Sequence, residues 1–178
     1  QSYLIMIIKT KFKNLVIIQN KKHKDKRGYF QELLTEKQLN KKFIFTVMSY
    51  SKMNVLRGLH IQTQKPQGKI ITVLKGKIFD VVVDLRKKSK TLGKVFSCIL
   101  SEKNSKSLYV PPGFAHGFLT LSKENFVIYS CTNLRHKSSE TTIRYNDETL
   151  KIKWPQKKMI ISNKDKIGIS YLEYIKNK

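Results

Sequence analysis

Between residues 43 and 131 the apolar side chains recur with a period of two, in short segments closed by turn residues. Strand side chains alternate between two faces, so this rhythm describes strands, whereas a helix needs a period near 3.6. In 78–85, Asp80, Val82 and Asp84 fall on one face, and Phe79, Val81, Val83 and Leu85 on the other. Both faces carry apolar residues, so this strand is expected to be covered on both sides. Its carboxylates then need partners, because an unpaired buried charge is costly. One reading gives them a structural role, capping Arg or Lys. Further strands are read at 1–10, 15–18, 55–62, 72–74, 95–100 and 108–110. Segments 118–121 and 126–131, around Ser122-Lys123-Glu124-Asn125, read as the arms of a hairpin. The stretch 35–42 is weakly helical, and 171–178 reads as a short terminal helix.

Many short strands, with no internal repeat and no flexible linker, point to an all-β sandwich or barrel. The small version is a cupin jelly-roll barrel with short peripheral helices, expected as a single domain over 1–178. Its interior has room for one small ligand.

Charge narrows the partners. The chain has 36 Lys and Arg against 12 Asp and Glu, a formal +24. One reading is a nucleic-acid or membrane-surface binder. The other is a lysine-rich background around an anionic small substrate. The cations are scattered, as in Lys21-Lys22, Lys41-Lys42, Lys87-Lys88 and Lys157-Lys158, without interleaved aromatics. Dispersed charge is no footprint, so neither nucleic acid nor membrane is expected as a partner. No apolar run approaches the roughly 20 residues of a membrane span. Cys98 and Cys131 sit in apolar alternating segments and read as buried thiols of a reducing, cytoplasmic compartment.

The chemistry concentrates in two histidine segments. In Val55-Leu56-Arg57-Gly58-Leu59-His60-Ile61-Gln62, a regular strand would put Arg57 and His60 on opposite faces. A bulge at Gly58 would aim both inward. The second is Pro111-Pro112-Gly113-Phe114-Ala115-His116-Gly117, a histidine among small residues beside a turn. A metal-binding cupin needs a His-x-His pair, but His60 is followed by Gln62 and His116 by Phe118. His23 and His136 lie in polar, Lys-rich stretches. No catalytic metal and no cofactor is therefore expected.

These segments carry a resemblance over nearly the whole chain. They join Asp25-Lys26-Arg27-Gly28-Tyr29-Phe30-Gln31-Glu32, Ser49-Tyr50-Ser51-Lys52, Gln67-Gly68-Lys69, the 76–87 strand, Tyr129, Glu140, Asn146-Asp147, Trp154-Pro155 and Ser162-Asn163-Lys164-Asp165. In that order and spacing the chain resembles the dTDP-4-dehydrorhamnose 3,5-epimerase family. The resemblance implies a cofactor-independent isomerase acting on a nucleotide-diphosphate 4-keto-6-deoxy sugar. It maps the base onto His60, its carboxylate partner onto Asp165 and the proton donor onto Tyr129. Lys69 maps to the cation near the C4 oxygen. Arg57 and His116 match sugar- or phosphate-side contacts, with Glu140, Lys164 and Arg135 as further substrate-binding positions. Arg27 and Glu32 also match substrate-binding positions and are expected to reach a neighbouring subunit's site, since the family is homodimeric.

Two stretches depart from the family pattern. Leu134 or Arg135 takes the slot where an aromatic stacks on thymine, and Phe45-Thr46-Val47 replaces an amide-rich run near the nucleotide. Both fall at the base end, so GDP-, CDP- or UDP-linked sugars stay open beside dTDP, as does inversion at C3 alone. A related cupin ketoisomerase and a basic, non-enzymatic cupin-like binding protein are the remaining alternatives.

Overall fold

The computed structural model describes residues 6–33 and 36–177. In chain order its strands are β1 (Met6–Lys9), β2 (Val16–Gln19), β3 (Lys22–Asp25), β4 (Gly28–Gln31), β5 (Phe45–Lys52), β6 (Val55–Gln62), β7 (Lys69–Lys75), β8 (Lys77–Asp84), β9 (Val95–Ser101), β10 (Lys106–Val110), β11 (Phe114–Thr120), β12 (Glu124–Cys131), β13 (Glu140–Thr142) and β14 (Ile160–Ile161). Short helices α1 (Glu36–Leu39), α2 (Asn163–Lys166) and α3 (Tyr171–Lys176) accompany them. One sheet runs β1-β2-β10-β7-β12-β5. The other runs β13-β6-β11-β8-β9, with β14 beside β6 in parallel. The two stack face to face as the all-β cupin jelly roll that the period-two pattern predicts.

Alternation lets the second sheet serve two cores. Ile78 and Val82 of β8 join Ile71, Val73, Leu108, Phe118 and Val127 between the sheets. Val81 and Val83, with Leu85 just beyond the strand, point the other way, onto Leu59, Ile61, Leu150 and Tyr174. The C-terminal segment supplies this outer cover, with Trp154, Ile169, Tyr171 and Ile175 packed against it. β8 is thus buried on both faces. Burying one such aliphatic side chain contributes about 1.5–3 kcal/mol, so the cover is comparable to a domain's whole net stability.

The β8 carboxylates find different partners. Asp84 accepts from Arg86 Nη2 at 2.6 Å, from Ser89 Oγ and from Thr91 Oγ1 at 2.7 Å, closing the turn after β8. Burial works to raise its pKa, yet these bonds hold it at about 2. The structural reading fits Asp84. Asp80 bonds a histidine instead.

One sequence expectation fails. Segments 118–121 and 126–131 are not hairpin arms, because β11 lies between β6 and β8 while β12 lies between β7 and β5 in the other sheet. β11 is buried throughout and has both edges paired, so it offers no edge to β12. The chain instead crosses between sheets. Asn125 shapes the crossing, donating to the Ser51 and Ser122 carbonyls and accepting from Lys77 N–H.

β3 and β4 pair as a separate two-stranded sheet, which the period-two pattern does not show, since Lys22-His23-Lys24-Asp25 has no apolar alternation. α1 and α3 lie within the two stretches read as helical. Thr35 and Lys178, at their ends, lie outside the described residues, as do residues 1–5 of the expected first strand. Among the described residues, no helix is long and apolar enough to cross a membrane.

Candidate active site

Between the sheets lies a cleft of about 770 Å³, within the range of small-ligand sites. The same alternation that fills the core furnishes its walls. β7 sends Ile71 and Val73 into the core and Lys69 into the cleft; β12 sends Val127 into the core and lines the cleft with Tyr129 and Cys131.

Arg57 and His60 share the cleft because β6 is irregular. Its pairing with β11 runs from His60↔His116 to Arg57↔Phe118, three residues against two. The extra residue is accommodated at Gly58, whose φ is +113°. A Cβ at Gly58 would stand 2.6 Å from Gly117 Cα and 2.7 Å from the His116 carbonyl oxygen. Glycine meets both demands, and the bulge turns Arg57 and His60 to one side. Arg57 is steadied by Ser51 Oγ at 2.9 Å and the Tyr50 carbonyl at 3.1 Å.

Asp165 approaches His60 from α2. Ser162 caps this one-turn helix, its Oγ accepting from Asp165 N–H at 3.2 Å. Asp165 Oδ1 then meets His60 Nε2 at 2.6 Å, while Oδ2 accepts from Gly58 N–H at 3.3 Å. Burial works to raise the Asp165 pKa, but His60, the Gly58 N–H and Ser162 hold it below the usual carboxylate range. The other imidazole nitrogen, Nδ1, lies 4.0 Å from Glu140 Oε1. Glu140 accepts from Lys164 Nζ at 2.6 Å through Oε1, and from Arg135 Nη2 at 2.8 Å through Oε2. Burial opposes these bonds, yet they hold Glu140 down at about 2.

Tyr129 belongs to the opposite sheet. Burial pushes its phenol above the ordinary tyrosine range, while a 3.2 Å bond with Ser49 Oγ and the nearby Arg57 charge work against that. Its ring meets His116 edge-on at 6.4 Å. His116 Nε2 bonds Asp80 Oδ2 at 2.8 Å, and burial raises the pKa of Asp80 against the pull of His116. Burial likewise holds the Lys69 ammonium below the usual lysine range, against attraction from Cys131 and Glu140.

The cleft therefore gathers His60, Tyr129, Asp165, Lys69, Arg57, His116, Glu140, Lys164 and Arg135. It does not gather Arg27, which sits exposed in the β3–β4 turn on Asp25 at 2.6 Å, or Glu32, just beyond β4. Sequence reasoning missed Ser49 as the partner of Tyr129. Phe45, Val47 and Ser49 alternate along β5 and line the cleft, but that Ser49 meets Tyr129 follows only from β5 pairing with β12. For Asp80 sequence reasoning offered an Arg or Lys, whereas the partner is His116. Among the described residues, no group of three or more His, Cys, Asp or Glu is placed to hold a metal ion.

Comparison with known proteins places the chain in a family. The family model for dTDP-4-dehydrorhamnose 3,5-epimerase matches residues 9–172. A dTDP-4-dehydrorhamnose 3,5-epimerase from Methanothermobacter thermautotrophicus is 43% identical over 167 residues, 89% of this chain and 90% of that protein. The crystal structure of a Legionella pneumophila dTDP-6-deoxy-D-glucose-3,5-epimerase, in complex with dTDP-4-keto-L-rhamnose, superposes with TM-score 0.90 at 40% identity. It spans 94% of this chain and 93% of that one. A Bacillus anthracis dTDP-4-dehydrorhamnose 3,5-epimerase structure with TDP and PPi bound gives TM-score 0.90 at 36% identity, covering 94% and 99% of the two chains.

Proposed function

The chain belongs to the dTDP-4-dehydrorhamnose 3,5-epimerase family, a family of isomerases, and on that premise we propose that it inverts C3, C5 or both of a dTDP-linked 4-keto-6-deoxy sugar. One observation carries the reading. A histidine bonded to a carboxylate sits on one sheet, and a half-buried tyrosine faces the same cleft from the other. Inversion requires proton removal on one face of a ring and proton delivery on the opposite face, hence two carriers on two walls.

In this mechanism the C4 carbonyl makes the neighbouring C–H bond acidic. That bond breaks, its proton passes to His60 Nδ1, and its electron pair moves into an enolate. Asp165, held on Nε2, supports the imidazolium that forms. The Lys69 ammonium stabilises charge developing on the C4 oxygen. Tyr129 then protonates the carbanion carbon from the other face. Its phenolate, eased by the Arg57 charge, recovers a proton from solvent, and His60 releases its own. His116, Arg57, Lys164 and Arg135 supply positive or donor groups for the sugar and diphosphate. Phe45, Val47 and Met48 give part of the cleft an apolar wall suited to a base.

We further read the protein as a homodimer in which Arg27 and Glu32 approach the partner's cleft. Both lie off their own cleft, and the same hairpin exposes Tyr29 and Phe30, 56% and 60% accessible. Free Cys98 and Cys131 suit a reducing, cytoplasmic setting.

The activity is tested by incubating the protein with dTDP-, CDP- and GDP-linked 4-keto-6-deoxyhexoses and following ring protons by NMR. Inversion of the dTDP sugar supports the proposal, and the carbons inverted identify a 3,5- or a 3-epimerase. No inversion of any substrate overturns it.

A further inference from the structure

His60 stands between two carboxylates, and only one of them is already committed to it. Asp165 holds Nε2 at 2.6 Å, while Glu140 Oε1 waits 4.0 Å from Nδ1. That same oxygen accepts from Lys164 Nζ at 2.6 Å, and the other oxygen of Glu140 is taken by Arg135. Among the described residues, the remaining charged or titratable groups in the cleft with His60 are His116, opposite in register on β11; Arg57 on its own strand; and Lys69, Tyr129 and Cys131 across the cleft. Of all these, Glu140 alone is both adjacent to Nδ1 and tied to cations that solvent can reach. The Glu140 side chain is 12% accessible, against 49% for Lys164 and 57% for Arg135.

We propose that Glu140 is a positioning residue that couples capture of the substrate's diphosphate to the readiness of His60 to take a proton. In the free protein the charge of Glu140 is shared between Lys164 and Arg135. A diphosphate entering the cleft competes for those two cations, which suit phosphate oxygens as well as carboxylate. Once Lys164 swings to phosphate, Oε1 is released on the side facing Nδ1. Its charge then favours the imidazolium that C–H cleavage creates. The arrangement also explains why neighbours in α2 serve opposite ends of one ring: Asp165 binds Nε2, and Lys164 governs the carboxylate near Nδ1. This inference rests on the sugar-nucleotide reading above and adds a coupling to it.

The test follows the His60 imidazole by NMR in histidine-¹⁵N-labelled protein, titrated over pH without ligand and with saturating inorganic pyrophosphate. Calorimetry reports whether pyrophosphate binds. In the native protein, pyrophosphate should raise the proton affinity of His60 about tenfold, one pH unit in midpoint. Glu140→Gln should lose most of that rise while still binding pyrophosphate. Lys164→Gln, an exposed change that spares the fold, should raise the midpoint before any ligand is added and shrink the further rise. Bound pyrophosphate with no change in midpoint overturns the coupling, as does a full rise in Glu140→Gln. Failure of pyrophosphate to bind overturns the substrate reading and the coupling together.

Discussion

Asp165 meets two groups with one carboxylate, and the division explains its importance. One oxygen orients His60, and the other fastens the Gly58 N–H in the bulge that brings His60 inward. Asp165→Asn should therefore lower kcat by roughly 10²-fold or more, within the span of general acid–base contributions, with a smaller change in KM. Steady-state kinetics beside a melting curve separate this from misfolding. Tyr129→Phe removes the proton return but leaves His60 and Asp165 bonded. It should retain solvent exchange at the carbon while losing inversion, which isotope-resolved NMR distinguishes. At this scale the sequence was legible at Arg57 and His60, where Gly58 between them pointed to a bulge, while Lys69 and Asp165 came only from the family resemblance; all four line the cleft. It was silent on Ser49 with Tyr129 and on Asp80 with His116. Those pairs depend on strand neighbours 80 and 36 residues apart, and neighbour identity is set by topology.

Strands and turns deliver those residues, and two features can be tested as elements. The β6 bulge needs a residue without Cβ at Gly58, so Gly58→Ala should cost about 1–3 kcal/mol from the backbone conformation alone. The added Cβ also meets Gly117 Cα and the His116 carbonyl. Denaturant unfolding should show the loss, and activity should fall with it because Arg57 and His60 no longer share a wall. The turn closed by Asp84 gives a pH test. Its folded pKa, about 2, lies below the ordinary aspartate value of about 3.9. The stability it contributes is present above about pH 3.9 and is lost as pH falls through about 2. Asp84→Asn should flatten that part of the acid limb in urea titrations at successive pH values. Alternation revealed β8 and its double burial without a structure. It could not reveal that β11 and β12 part company, because adjacent alternating segments look alike whether they pair or cross between sheets.

The whole molecule carries a large excess of cations around a cleft proposed for an anionic substrate. Dispersed lysines raise the local concentration of anions without forming a site of their own, and salt screens that effect. Raising ionic strength should therefore raise KM and leave kcat nearly unchanged. The exposed β3–β4 hairpin should lie in a homodimer interface. Sedimentation should give twice the chain mass, and Arg27→Ala should weaken substrate binding although Arg27 lies off its own chain's cleft. The central claim is that His60 removes a ring proton that Tyr129 replaces from the other face. Its most direct measurement is deuterium incorporation at C3 and C5 of dTDP-4-keto-6-deoxyglucose in deuterated water. The native protein should label at least one of these carbons with inversion, and His60→Ala, folded by circular dichroism, should slow labelling roughly 10²–10⁴-fold. Labelling at the native rate in His60→Ala would contradict the account.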